Sequence, residues 1–323
     1  MVKIEVSTAT RKHINDSHKE YIEQTSLPKL EAMIKGKRMT KKRKLLMSLF
    51  GDMPENRKSS LINYCLSAEL KDIVDKFNNT FLMIYGFEFS DLEKHGATIE
   101  AIRKELNFIF NYVGFNVGTK LGNGEKWNRH EFITSLGIKV CPYCNRQYIT
   151  SYEGESDNRK TTADADHYYP KVEYPILQMN IFNLIPSCGV CNSRMKGTKN
   201  KKHLYPYEDP SDSLIFKIPL EVGERVSEII IDTKSIERAE ASVEVFKLNK
   251  VYQAHLDEVS EVKKYIEEYF EFGDKVYEAT HGLSVPFDIF SIWFSFMGKN
   301  ISSEPLIKLR QDIFKQLKEE HKK

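Results

Sequence analysis

In the stretch "TIEAIRKELNFIFNYVGF", Ile99, Ile102, Leu106, Ile109 and Val113 recur at alternating steps of three and four. That spacing gathers them on one apolar face and predicts an amphipathic helix. "SSLINYCLSAELKDIVDKF" has the same texture, so residues 1–125 read as mainly helical. After a short predicted helix in "EKWNRHEFITSLGI" the pattern changes. From about 139 to 205 come short β-like runs, with "RQYITSY" and "KTTADADHYYP" as strand candidates around the polar loop "EGESDNR". "CGVCNSRMKG" reads as one or two helical turns closed by Gly197, glycine being common just past a helix end. Beyond Pro210, "SLIFKIP" and "SEIIIDT" suggest a small hairpin. A seven-residue rhythm of Val245, Leu248, Tyr252, Val259, Val262, Ile266 and Tyr269 predicts one long helix, with His255 packed at a seam position. "FDIFSIWFSF" and "PLIKLRQDIFKQLKEEHKK" would be two closing helices. The chain reads as α+β in three regions: helical 1–125, mixed 126–208, and a hairpin with helices over 209–323.

Charge and composition narrow the picture. A net charge of +2 gives no overall field toward nucleic acid, so any such affinity must come from local patches. One patch is "KGKRMTKKRK" (35–44), either a solvated, flexible connection or an arm contacting phosphates. "MVKIEVSTATRKHIN" lacks the apolar core of a secretory signal. The most apolar stretch, "VPFDIFSIWFSFMG", is too short to span a membrane and contains Asp288. A cytoplasmic protein is the expectation. Four of the five cysteines fall into two Cys-x-x-Cys pairs, Cys141/Cys144 and Cys188/Cys191, and Cys65 reads as a small core residue. In a reducing compartment that arrangement favours a closed tetrahedral zinc site over a disulfide or redox pair.

Between the two pairs stand Asp166-His167 with Pro170, then Asn183-Leu184, and Asn192 follows Cys191 on the way to Lys196-Gly197. In order and residue type this segment resembles the HNH endonucleases of the four-cysteine, zinc-stapled kind. The resemblance implies a small ββα-metal core embedded between the helical regions. It makes His167 the general base and Asp166 and Asn192 the ligands of a catalytic Mg²⁺ or Mn²⁺. Asn183 would hold the intervening loop. The zinc would be structural. Asp164 lies on the same strand face as Asp166, as a supporting group or a rival ligand. Cleaving a phosphodiester also needs cations to orient the backbone. Arg194, Lys196 and Arg146 are the candidates, with Lys199, Lys201 and Lys202 behind them, and His203 reads as structural. DNA is the expected substrate. A zinc-stapled nucleic-acid-binding module without catalysis is the alternative. The wording "DHYYPKVEYP … NLIPSCGVCNSRMKG" is similar to HNH subunits of Septu-type and retron-associated anti-phage systems. That similarity implies an ATPase partner.

Overall fold

The computed structural model describes every residue except 37, 155–158, 221–224, 280–293 and 322–323. The chain opens with α1 (Thr8–Thr25), α2 (Leu27–Ile34), α3 (Lys41–Phe50), α4 (Pro54–Leu66), α5 (Leu70–Tyr85) and α6 (Leu92–Phe110). Three of these starts are capped by side chains: Ser7, Thr40 and Asp91 accept the N–H three residues on, at 3.1, 3.2 and 3.4 Å, before α1, α3 and α6. Asn111, at φ 49°, turns the backbone left-handed and ends α6. Ile99, Ile102, Leu106 and Ile109 are therefore buried as their spacing requires, whereas Val113, in α7 (Tyr112–Phe115), is 75% exposed. Of the basic run, Lys41–Lys44 forms the first turn of α3 instead of a flexible connection, with Lys42 Nζ 2.6 Å from Glu105 Oε1; Lys37 lies outside the described residues.

A tight hairpin, β1 (Thr119–Lys120) with β2 (Lys126–Trp127), leads into α8 (Arg129–Ser135). Gly118 is required before it: φ is 75°, and a Cβ would lie 2.3 Å from the Trp127 carbonyl oxygen. β3 (Ser151–Glu153) pairs antiparallel with β4 (Arg159–Thr161), around the polar loop whose residues 155–158 are outside the described set. β5 (Asp164–His167) then pairs antiparallel with β6 (Leu184–Ser187), setting Asp164 opposite Ser187 and His167 opposite Leu184. Helical turns over Val190–Lys196 follow, closed at Gly197 with φ 54°. β7 (Ile215–Lys217) and β8 (Ile230–Asp232) form the hairpin expected beyond Pro210.

The predicted long helix is divided. It runs as α9 (Glu237–Val245), α10 (Leu248–Val251), a turn over Tyr252–His255, and α11 (Leu256–Ala279). Lys247, left-handed at φ 49°, makes the break, yet Val245, Leu248, Tyr252, Val259 and Ile266 still face the core. His255 is packed as expected, its Nε2 accepting from Arg146 Nε at 2.8 Å. Of the two closing helices, Ile307–His321 is present, and residues 287–293 of the other lie outside the described residues. Among the described residues no helix is long and apolar enough to cross a membrane.

One hydrophobic core runs through all three regions, from Ile14 and Phe110 through Ile181 to Tyr252 and Phe314. The loop 168–183, between β5 and β6, is where the N-terminal helices grip the centre. Ile181 N–H donates to the carbonyl of buried Cys65 (3.0 Å), and Asn180 Nδ2 donates to the carbonyls of Tyr64 and Ser67 (2.8 and 2.9 Å). His18 Nε2 donates to Met179 O at 2.8 Å while its Nδ1 accepts from Trp127 Nε1 at 3.2 Å. Neutral imidazole alone can make both bonds.

Burial holds His18 at about 4 and His203 at about 3, both lowered from the ordinary histidine value. In the unfolded chain both titrate near 6.5, so stability is complete above that pH and falls as the unfolded chain takes up protons. At about pH 5 the loss is roughly 2 kcal/mol for each histidine. Urea titrations at neutral and mildly acid pH should show it, and His18→Gln should shrink the difference; equal stability at both pH values would contradict the buried neutral tautomers.

Candidate functional site

Cys141, Cys144, Cys188 and Cys191 converge with every ligand atom within 4.8 Å of the others, and all four are buried. A tetrahedron of sulfurs about 2.3 Å from a central zinc has edges of about 3.8 Å, so the cluster could hold such an ion. The local backbone fits a thiolate site. Arg146 N–H points at Cys144 Sγ and Cys191 N–H at Cys188 Sγ, both at 3.4 Å. Asn145, left-handed at φ 49°, folds the first knuckle back on itself, and Asn145 N–H closes it on Cys141 O at 2.8 Å. Neighbouring thiols push Cys188 strongly down, with Cys141 the largest influence, whereas burial drives Cys141 up. Four such groups cannot all ionise together unless a cation sits among them.

Beside the cluster, β5, residues 170–172 and the turns Val190–Lys196 line a cleft of about 310 Å³ that includes Asp164, Asp166, His167, Asn192, Lys196 and Arg129. Alternation along β5 sends Asp164 and Asp166 to one face. Asp166, 3% exposed, accepts from Lys196 Nζ on Oδ1 (2.8 Å) and from Tyr143 O–H on Oδ2 (2.6 Å). Burial raises its carboxyl above the ordinary range, and the Lys196 ammonium opposes that shift. Asn192 Nδ2 donates to Asp164 Oδ2 at 3.0 Å. The amide oxygen of Asn192 and the second oxygen of Asp164 are the donors left open, so a hard cation would find its oxygens there, with Asp166 able to join by sharing with Lys196.

His167 is 8% exposed, and its Nε2 is 3.0 Å from Gln178 O, 4.5 Å from Tyr112 ring to ring. The carbonyl fixes the proton on Nε2, leaving the Nδ1 lone pair as acceptor. Burial lowers the imidazole to about 3, so it is neutral across the physiological range. Gln178 is itself tied: its Nε2 donates to Asn107 Oδ1 on α6 at 3.1 Å. Asn183 is wholly buried and spans the loop, donating to Tyr169 O (3.1 Å) and Leu177 O (3.2 Å) and accepting from Tyr169 N–H (2.8 Å).

The expected residues thus part company. Asp166, His167, Asn192 and Lys196 meet in the cleft, and Asn183 sits behind it. Lys196 is 1% exposed, with its ammonium committed to Asp166 and to His167 O (2.7 Å), which removes it as a freely moving phosphate contact. Arg146 points elsewhere, to His255 and the Tyr252 ring. Arg194 is exposed but does not line the cleft. Besides Lys196, the cations that line it are Arg129 and Lys171, which no local motif marks. His203 is buried and structural in its contacts, with Nδ1 2.9 Å from Leu204 O. Comparison with family models, curated proteins and solved structures finds no match for this chain.

Two outcomes follow from this geometry. The purified protein should carry one tightly held zinc per chain, and Cys188→Ser should reduce both metal content and the unfolding midpoint; a metal-free protein of unchanged stability would contradict the cluster's role. Lys196→Met should cost roughly 3–5 kcal/mol by stranding the Asp166 charge, and adding Asp166→Asn should restore much of it. Urea unfolding of the two variants measures both.

Proposed function

We propose that the protein is a metal-dependent endonuclease of the HNH type, hydrolysing phosphodiester bonds of nucleic acid, with DNA as the first substrate to test. The observation that carries this reading is a neutral, carbonyl-oriented imidazole sharing one cleft with the oxygens of Asp164, Asp166 and Asn192. His167 Nδ1 takes the proton of the attacking water as the new P–O bond forms and the P–O bond to the leaving oxygen breaks, that oxygen taking its proton from solvent, while Gln178 O keeps the ring from turning. Tyr143 and Lys196 hold Asp166 in place. Arg129 and Lys171, both lining the cleft, offer positive charge to the non-bridging oxygens. Mg²⁺ or Mn²⁺, held by Asp164 and Asn192 with help from Asp166, would supply charge for the leaving oxygen. Zinc in the cysteine cluster is the brace.

The biological setting proposed is anti-phage defence beside an ATPase partner, on the similarity of "DHYYPKVEYP" and "NLIPSCGVCNSRMKG" to such subunits. Co-expression with a neighbouring ATPase followed by co-purification tests it. A second reading, a nucleic-acid-binding module without catalysis, is favoured by one contact: Lys196 already neutralises Asp166 in the manner a bound cation would.

Incubating the protein with single- and double-stranded DNA and with RNA, in Mg²⁺ or Mn²⁺, separates the two. The nuclease reading expects cleavage that chelator abolishes and that His167→Ala lowers by about 10²–10⁴-fold. Because burial lowers the imidazole to about 3, its protonation should not cut the rate between about pH 8 and pH 6. Cleavage by none of the substrates, or equal cleavage by wild type and His167→Ala, would leave the binding module standing.

A further inference from the structure

We propose that a groove between α5, α6 and the loop 168–183 receives a single nucleic-acid strand next to the cut, phosphates toward Arg129 and Lys171, bases toward Asn78 and Asn79. This deepens the nuclease reading and rests on it. It also gives the N-terminal helices a task beyond support.

Three hollows share walls. The catalytic cleft of about 310 Å³ and a second hollow of about 230 Å³ have Tyr112, Lys171 and Val172 in common. The second and a third, of about 530 Å³, have Arg103 in common. By their shared wall residues the hollows follow one another from His167 past Arg103 on α6 to Asn78 and Asn79 on α5.

Its chemistry changes along its length. Near His167 Lys196 is taken up by Asp166, while Lys171 is exposed, its ammonium 4.9 Å over the Tyr112 ring. Arg103 Nη1 is ion-paired with Glu100 Oε2 at 3.7 Å, but Arg129 Nε and Arg103 Nε are both buried with no hydrogen-bond acceptor among the described residues. Leaving a guanidinium N–H unpaired is costly, which points to an acceptor brought by something outside the protein. A phosphate or a base carbonyl is such an acceptor.

The far hollow is different. Arg103 is its one cation among the lining residues, against Glu88 and Glu173, and the amides of Asn78 and Asn79 stand at its edge with the Tyr174 ring. Acids repel phosphate, so this end does not track a backbone. Amides and carboxylates pair with base edges, and rings stack on base faces. A duplex keeps those faces stacked inside, so it offers the Tyr174 ring no base face to stack on. An unpaired strand offers phosphates and base faces in the order the groove presents them.

The test uses the full chain. Asn78 and Asn79 are both exposed, so Asn78→Asp with Asn79→Asp adds two charges without disturbing the core. Binding is read by fluorescence anisotropy in a His167→Ala background, with labelled single strands of about 4 and about 12 nucleotides and a duplex of the longer sequence. Hydrolysis of bis(p-nitrophenyl) phosphate, too small to reach the far hollow, is read with His167 intact. The expectation is that the double variant weakens the longer strand roughly tenfold, leaves the shorter strand and the small ester unchanged, and that the duplex binds more weakly than the strand. Equal binding of the longer strand by parent and double variant overturns the groove, as does duplex binding that matches or exceeds the strand. Failure to hydrolyse the small ester in any metal would sink the nuclease reading instead, and the anisotropy data would still judge the groove on its own.

Discussion

A carboxylate that is 3% exposed has to be compensated, and Asp166 is compensated twice. The partners come from different places. Lys196 ends the helical turns after the second cysteine pair, and Tyr143 lies inside the first pair. One buried charge thus joins strand β5, the turns Val190–Lys196 and the cysteine cluster. Removing either partner would leave an ion in a dry environment, where its solvation cannot be replaced. Lys196 adds a bond to His167 O, so the same contact fixes the backbone that carries the imidazole. The position of His167 is a consequence of how Asp166 is neutralised.

The other side of the imidazole depends on amides. Asn183 and Asn180 satisfy the loop 168–183 from within, and Asn180 also reaches the carbonyls that end α4. Gln178 presents its carbonyl to His167 while its side chain holds α6 through Asn107. Each is a buried polar group with its bonds made, the condition under which polar networks stiffen a core. The N-terminal helices therefore bear on the cleft through hydrogen bonds, and their hydrophobic residues belong to the same core as the strands.

Much of this was legible because it is local chemistry. Two cysteine pairs, an Asp-His at a strand end and a glycine closing a turn keep their meaning within a few residues, and the β5–β6 pair and the left-handed Gly197 stand where those signals lie. Apolar spacing located α6, but not its end, since Asn111 breaks the helix while the rhythm runs on to Val113. Lys247 hides in the same way inside a seven-residue pattern that survives the break. The cleft's cations were the least legible. Lys196 reads from sequence as a cation for the phosphate backbone, and only the fold shows that it faces Asp166; Arg129 and Lys171 reach the cleft from a short helix and a loop whose destinations depend on distant contacts.

The first cysteine knuckle is clasped by residues far from it in sequence, on both sides. Val2 N–H bonds Pro142 O at 2.8 Å, Leu306 N–H bonds Asn145 O at 2.7 Å, and Asn145 Nδ2 bonds Ile301 O at 2.8 Å. During synthesis the Asn145 carbonyl cannot meet its Leu306 partner until that residue leaves the ribosome, long after the cysteines have emerged. Ion capture can begin midway through translation. Closing of the knuckle over a captured ion would wait for residues 301–306.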